Sequence, residues 1–353
     1  MKARTPADAV ALGIIGAGQV VRHQLEALAA APAVRVVAVT DLDGRAAREI
    51  AGALGADDVV ADYQSLLRHP AVEAVYVATP PRLHRPMILE AIAAERHVLC
   101  EKPFVLNAAE AREVAAAAAR RPALIVASCS SRMHFGAAVQ SAHALIARGG
   151  LGRLLGVRHL VTCWPRPPRP PGWKTNRAEA GGGAAMDWGV YHFEFLRRLL
   201  GDAWDPVSVA ATTEAEWGDG PGLESGFSTT VVCRSGLRVQ VERRCEIGPL
   251  LERTEVRGTE GGLDVPMLGG AIPETLTRHC RAEDGRVRTE SGLTEPVKDH
   301  RPMLLFPLLD FAAAVRGRAP AATSPASELG LHLLLDALYV SAARGGIPVD
   351  LPV

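Results

Sequence analysis

Three short stretches of this chain carry residues whose types and spacing could do redox chemistry. In Glu101-Lys102-Pro103 an apolar run ends in a charged pair followed by proline. The carboxyl ends of strands in open α/β sheets face the ligand crevice. A lysine there can hydrogen-bond a substrate hydroxyl and help move its proton; the plainer reading is a surface ion pair of little energetic weight. In the stretch from Gly181 to His192, glycines open a helix that contains Asp187. On a regular helix Asp187 and Tyr191 lie about 40° apart and share a face, whereas His192 lies about 140° from Asp187 and points elsewhere unless the helix is distorted. Here the plainer readings are a first-turn acid for Asp187, a half-buried packing residue for Tyr191 and a satisfied helix histidine for His192. In Gly13-Ile14-Ile15-Gly16-Ala17-Gly18 an apolar run turns into a helix. Gly16 and Gly18 match the pattern G-x-G-x-x-G/A, and Val21 departs from it at the third place. The first glycine permits the tight turn, and the second lets the backbone approach a pyrophosphate at the helix N-terminus. Gly16, Gly18, Gln19 and Val20 are therefore cofactor candidates. Asp41 ends the next apolar run, where an acid would accept hydrogen bonds from the adenosine ribose. That favours NAD, since a 2′-phosphate would meet a carboxylate, while Arg45 nearby keeps NADP possible. A helix N-cap or turn aspartate is the other reading of Asp41.

These residues need strand ends and helix starts to hold them, and the hydrophobic pattern supplies both. Over the first 120 or so residues strands at 10–15, 34–40, 59–60, 72–79, 97–100 and 124–128 alternate with helices at 19–31, 45–54, 63–68, 85–94 and 108–120, which indicates βαβ units around a parallel sheet. From residue 154 the pattern changes. An extended run to 164 leads into a proline-rich loop at 165–171, and the glycine run opens a helix to about residue 200. Strand-like runs follow at 207–217, 226–234, 237–247 and 252–258, with a hairpin turn at Arg234-Ser235-Gly236. Helices at 304–316 and 327–343 close the chain. The expected fold class is α/β: an N-terminal Rossmann domain with a C-terminal α+β domain built on a mostly antiparallel open sheet. The expected domains are 1–127, completed by the helix at 327–343, and 128–326.

Composition narrows the function. The 353 residues are 48% hydrophobic and 22% charged, with 39 Lys plus Arg against 39 Asp plus Glu. This balance favours neither nucleic acid nor a membrane surface as partner. No stretch reaches the ~18 apolar residues of a spanning helix. The six cysteines are never paired as C-x-x-C, so neither a zinc site nor a disulfide framework is expected, and a cytoplasmic location is.

The glycine turn, the strand end Ala78-Thr79-Pro80-Pro81 with His84, the segment from His97 to Pro103, the helix from Gly181 to Tyr191 and the tail 335–342 together resemble the Gfo/Idh/MocA oxidoreductases, in the right order from about residue 12 to 348. The resemblance implies reversible hydride transfer between NAD(P) and a carbinol of a sugar, cyclitol or similar compound. It implies that Lys102 is the catalytic lysine and Asp187 its acidic partner. It also implies that Thr79, Pro80 and His84 border the cofactor, with Glu101 near the nicotinamide ribose. A homodimer or homotetramer through the C-terminal sheet is implied as well. Many relatives carry histidine four residues after the aspartate; Tyr191 stands there in this chain. Tyr191 is therefore expected to transfer the proton, with His192 as its rival. A tyrosine titrates near ~10 in water, so that role calls for a nearby cation. Trp173 and Lys174, at the end of the proline-rich loop, are substrate candidates, or else part of a polyproline ligand or dimer arm. Arg132 is a further substrate candidate. Two other functions remain open: a redox-assisted lyase or glycosidase that keeps its NAD bound, and a non-catalytic dinucleotide sensor.

Overall fold

The computed structural model describes residues 8–165, 171–215, 222–267, 274–295 and 301–352, and these form two compact units. The first comprises the described residues up to Arg132 together with Arg301–Gly330, and the second those from Met133 to residue 295 together with 331–352.

In the first unit β1 (Val10–Ile15), β2 (Val34–Thr40), β3 (Asp58–Val59), β4 (Ala74–Val77), β5 (His97–Cys100) and β6 (Val126–Ser128) form a parallel sheet in the order β3-β2-β1-β4-β5-β6. The connecting helices are α1 (Gln19–His23), α2 (Leu25–Ala30), α3 (Gly44–Leu54), α4 (Tyr63–Leu67), α5 (His84–Ala93) and α6 (Ala108–Ala119). The strands are apolar on both faces because both faces are covered. Ile14, Tyr76 and Leu99 enter one core, and Val37, Val75 and Val98 enter the other. Strand order reverses between β1 and β4, the switch point at which the carboxyl ends of such sheets bind ligands. The helix expected over 19–31 breaks at Gln24, which is 1% exposed and has left helical geometry at φ −100°, ψ 3°.

The second unit contains α7 (Ala137–Ala147), β7 (Leu154–Cys163), α8 (Arg177–Ala180), a π-helical turn (Ala185–Gly189) and α9 (Val190–Leu200). These are followed by β8 (Pro206–Glu214), β9 (Gly226–Cys233), β10 (Arg238–Cys245), β11 (Glu252–Gly258), β12 (Gly261–Asp264), β13 (Thr277–Arg281), β14 (Val287–Glu290) and β15 (Val349–Asp350). One sheet runs β14-β13-β12-β11-β7-β10-β9-β8-β15, antiparallel except for the β7–β10 pair. Its residues alternate between a buried face, with Phe227, Val231, Val239 and Val241, and a more exposed face, with Arg238, Gln240 and Arg244. Strands β13 and β14 lie between the last strand run expected from the sequence, at 252–258, and the helix expected at 304–316. Residues 166–170 of the proline-rich loop, Trp217 and residues 268–273 and 296–300 lie outside the described residues.

The units divide the chain differently from the expected domains. Helix α10 (Arg301–Val315) sends Leu308, Phe311 and Ala312 into the first core, so the return to the first unit begins at residue 301 instead of 327. Helix α11 (Pro325–Ala343) is shared: Glu328 accepts a 2.5 Å hydrogen bond from Ser130 in the first unit, and Ser341 accepts one of 2.8 Å from Ala211 N in the second. No described helix is long and apolar enough to cross a membrane.

Candidate active site

At the end of β1 the chain turns through Gly16, whose φ is +103°. A Cβ there would sit 2.7 Å from the carbonyl oxygen of Ala78, just past the neighbouring strand β4, so only glycine closes this turn. Around the Cβ position of Gly18 nothing lies within 4 Å, and Gly18 and Gln19 are exposed. Bare backbone facing open space at a helix start is the surface a pyrophosphate needs. Val20 is half-buried, and Val21 is fully buried, packing the helix onto the core. Asp41 does more than end β2. Its Oδ2 accepts from Ala17 N at 2.6 Å and its Oδ1 from Asp43 N at 2.8 Å, which ties the glycine turn to the β2 loop. Carboxylate oxygens have about four acceptor positions in all, so capacity for a ribose hydroxyl remains. Arg45 is 84% exposed at its side chain and pairs with Glu49 at 3.1 Å.

Glu101, at the end of β5, is 3% exposed. Its Oε1 accepts from Gln24 at 2.8 Å, from the Tyr76 hydroxyl at 2.5 Å and from Arg132 Nη2; its Oε2 accepts from Lys102 N at 3.1 Å. Burial alone would push this carboxyl up, but the Arg132 guanidinium, the Tyr76 hydroxyl and the Gln24 amide outweigh it and hold it down to about 2. A buried, ionised glutamate therefore fixes the backbone of the half-buried Lys102. Arg132, expected at substrate, is 6% exposed and engaged with Glu101. A buried carboxylate needs such a cation. Gln24 and Tyr76 gave no signal in the sequence, since they are brought to Glu101 only by the fold.

His84, expected to border the cofactor, makes its hydrogen bonds to backbone carbonyls. It is fully buried, with Nδ1 2.9 Å from Pro103 O and Nε2 2.8 Å from Thr79 O. It fastens the end of β4 to the Lys102-Pro103 turn and leaves Thr79 and Pro80, both half-buried, at the sheet edge. Burial pushes its imidazole down from the usual range, against the pull of the backbone carbonyls.

In the second unit Asp187 sits in the π-helical turn, half-buried, and its N–H donates to Gly183 O at 2.9 Å. Such turns recur at functional sites, and this one changes the regular angular spacing expected from the sequence. Tyr191 is 5% exposed and meets the Trp188 ring edge-on at 5.9 Å. The Arg243 guanidinium lies 4.5 Å from the Trp188 ring centre. His192 is fully buried, with Nδ1 2.9 Å from His159 Nε2, and His159 Nδ1 is 2.8 Å from Thr254 Oγ1. Burial pushes His192 well below the usual histidine range and, with Arg243, holds His159 down to about 3. His192 is thus a neutral core residue, and its candidacy as the proton-transfer group falls. Trp173, 37% exposed, begins a single 3₁₀ turn at residues 173–175, and Lys174 Nζ lies 5.2 Å from the Trp173 ring centre. Among the described residues no group of three or more His, Cys, Asp or Glu could hold a metal ion.

Residues 10–128 match the model of the GFO/IDH/MocA oxidoreductase family, NAD-binding Rossmann fold, and residues 139–264 match that of the GFO/IDH/MocA C-terminal domain. The chain is similar to 1,5-anhydro-D-fructose reductase of Ensifer adhaerens, with 33% identity over 71% of this chain and 74% of that protein. It is similar to trans-1,2-dihydrobenzene-1,2-diol dehydrogenase of Mus musculus, with 32% identity over 72% and 74%. Among solved structures it resembles GenD2 from gentamicin A biosynthesis, determined in complex with NAD, with a TM-score of 0.82 and 26% identity over 100% and 99% of the two chains.

Proposed function

Since the chain belongs to the GFO/IDH/MocA family of NAD-binding oxidoreductases, we propose that it moves a hydride between NAD and a secondary alcohol or ketone of a sugar, cyclitol or related polyol. The observation that carries this reading is Lys102 at the carboxyl end of β5, its backbone held by the ionised Glu101, on the same sheet edge as the glycine turn. Strands are spaced ~4.8 Å apart, so the end of β5 lies about 10 Å across the sheet from that of β1. Bound NAD supplies the carbon that accepts or returns the hydride. In the oxidising direction the carbinol C–H leaves with its electron pair and the O–H proton passes to the protein. Lys102 holds the substrate oxygen, Asp187 orients and charge-balances the carbinol, and Tyr191 takes the proton. In the reducing direction the same groups act in reverse. Trp173 and Lys174 belong to the substrate side of the same proposal. The enzymes named above act on an anhydro sugar ketone and a cyclic diol, which fits this class of substrate.

A homodimer or homotetramer formed through the exposed face of the nine-stranded sheet, and a cytoplasmic location, complete the reading. Six free thiols suit a reducing compartment. The test is NADH absorbance with a panel of 1,5-anhydro-D-fructose, D-glucose, myo-inositol and levoglucosan, supplied with NADH or NAD as their oxidation state requires. At least one compound is expected to change cofactor redox state catalytically. Purified protein that keeps NAD tightly bound and turns over none of them contradicts the proposal. Light scattering settles the oligomer, and a monomer refutes that part alone.

A further inference from the structure

The backbone that carries Asp187 is held by a residue far from it in the sequence. Glu224, 6% exposed, precedes β9. Its Oε1 accepts from Gly183 N at 3.0 Å and from Ala185 N at 2.9 Å, and its own carbonyl oxygen accepts from Ala184 N at 2.8 Å. Three consecutive amides ahead of Asp187 therefore end on this one residue. The first amides of a helix have no partner within it, and a carboxylate is the acceptor best matched to them. No local side chain caps this helix start.

The carboxylate is itself held. Tyr339, from α11, donates to Oε1 at 2.7 Å, and the Arg177 guanidinium lies 3.9 Å from Oε2 and 4.7 Å from the Tyr339 ring centre. The glycine run makes this possible. A Cβ on Gly182 would collide with the Tyr339 hydroxyl, and one on Gly183 with the Glu224 backbone. The same run that looks like a helix opener in the sequence is the clearance that lets Glu224 and Tyr339 reach the amides.

We propose that Glu224 is a positioning residue: with Tyr339 it clamps the amides of residues 183–185 and so fixes where the π-helical turn presents Asp187. The proposal rests on the reading of Asp187 as a catalytic residue. Glu224→Ala removes the side-chain clamp, and kcat is expected to fall about tenfold or more, with the affinity for NADH unchanged within about twofold, because Glu224 acts through Asp187 and not through the cofactor turn. Glu224→Gln keeps an acceptor oxygen and is expected to retain kcat within about threefold.

A role confined to stability would slow the enzyme in any background. A role through Asp187 would not: in an Asp187→Asn enzyme, adding Glu224→Ala is expected to change the rate by less than about twofold. Substrates come from the panel above. If Asp187→Asn itself keeps full activity, the reading of Asp187 fails. If Asp187→Asn is inactive and Glu224→Ala keeps wild-type kcat, or the two losses multiply, the positioning role fails and the reading of Asp187 stands. Tyr339→Phe, a single-bond deletion, and amide exchange give a readout free of turnover. Exchange at Gly183 and Ala185 is expected to accelerate about tenfold in Glu224→Ala and to a lesser degree in Tyr339→Phe, with the β9–β10 amides unchanged. Unchanged exchange at residues 183 and 185 overturns the proposal.

Discussion

Replacing Arg132 with methionine leaves Glu101 buried without its cation, and the structure sets the cost. The Glu101 carboxyl lies at about 2, against 4.5 for an ordinary glutamate; burial pushes it up, and the Arg132 guanidinium does most to hold it down. At about 1.4 kcal/mol for each tenfold change, the fold favours the ionised form by roughly 3 kcal/mol. Breaking one side of a buried ion pair costs about 3–5 kcal/mol by an independent route. Arg132→Met is therefore expected to destabilise the first unit by about 3 kcal/mol at pH 7. The pH dependence follows from the sign. A carboxyl depressed in the folded state contributes stability that is complete above about 4.5 and is lost as pH falls towards about 2. The gap between wild type and variant should therefore narrow over that range. Urea unfolding followed by far-UV circular dichroism at pH 7, 5, 4 and 3 measures it. Adding Glu101→Gln to Arg132→Met removes the orphaned charge and should restore part of the loss. A difference below about 0.5 kcal/mol at pH 7, or one that is the same at every pH, refutes the reasoning.

Gly16→Ala places a Cβ 2.7 Å from Ala78 O at φ +103°; NADH affinity by fluorescence titration should fall about tenfold or more, and an unchanged Kd would show that the turn tolerates a side chain. Asp41→Ala removes the acceptor for Ala17 N and Asp43 N; NADH should bind about tenfold more weakly and discrimination against NADPH should shrink, which paired KM measurements check. His159 is held down to about 3 by burial. Its contribution to stability is complete above the usual histidine range near 6.5 and is lost as pH falls towards 3. His159→Phe should therefore flatten the acid slope of unfolding stability by about 1.4 kcal/mol per pH unit in that window, and an unchanged slope means that His159 is not buried neutral.

Much of the first unit is legible in the sequence because its signals are local. The apolar runs that became β1, β2 and β5 have the same limits in the fold, and Asp43 caps α3 with its own side chain. The helix expected over 19–31 is broken at Gln24, whose amide reaches Glu101, 77 residues on, a contact that no sequence window contains. His84, placed beside the cofactor by the resemblance, and Arg132, a substrate candidate, are both buried and engaged with partners remote in sequence or with backbone carbonyls that no local pattern reveals. In the second unit the last strands carry no clear sequence signal, because β13 (Thr277–Arg281) and β14 (Val287–Glu290) are short, largely unburied and lack a clean apolar alternation. The π-helical turn was invisible to a reading that assumed about 100° per residue. It removes the regular geometry by which Asp187, Tyr191 and His192 were sorted, although His192 did prove to face away into the core.

The central claim, hydride transfer with Lys102 as the group that meets the substrate oxygen, is tested most directly by Lys102→Met on whichever panel compound turns over. Single-turnover absorbance at the NADH band is expected to slow about 10²–10⁴-fold, with NADH Kd within about twofold of wild type, because the glycine turn and Asp41 are untouched. A variant that transfers hydride at the wild-type rate would contradict the claim.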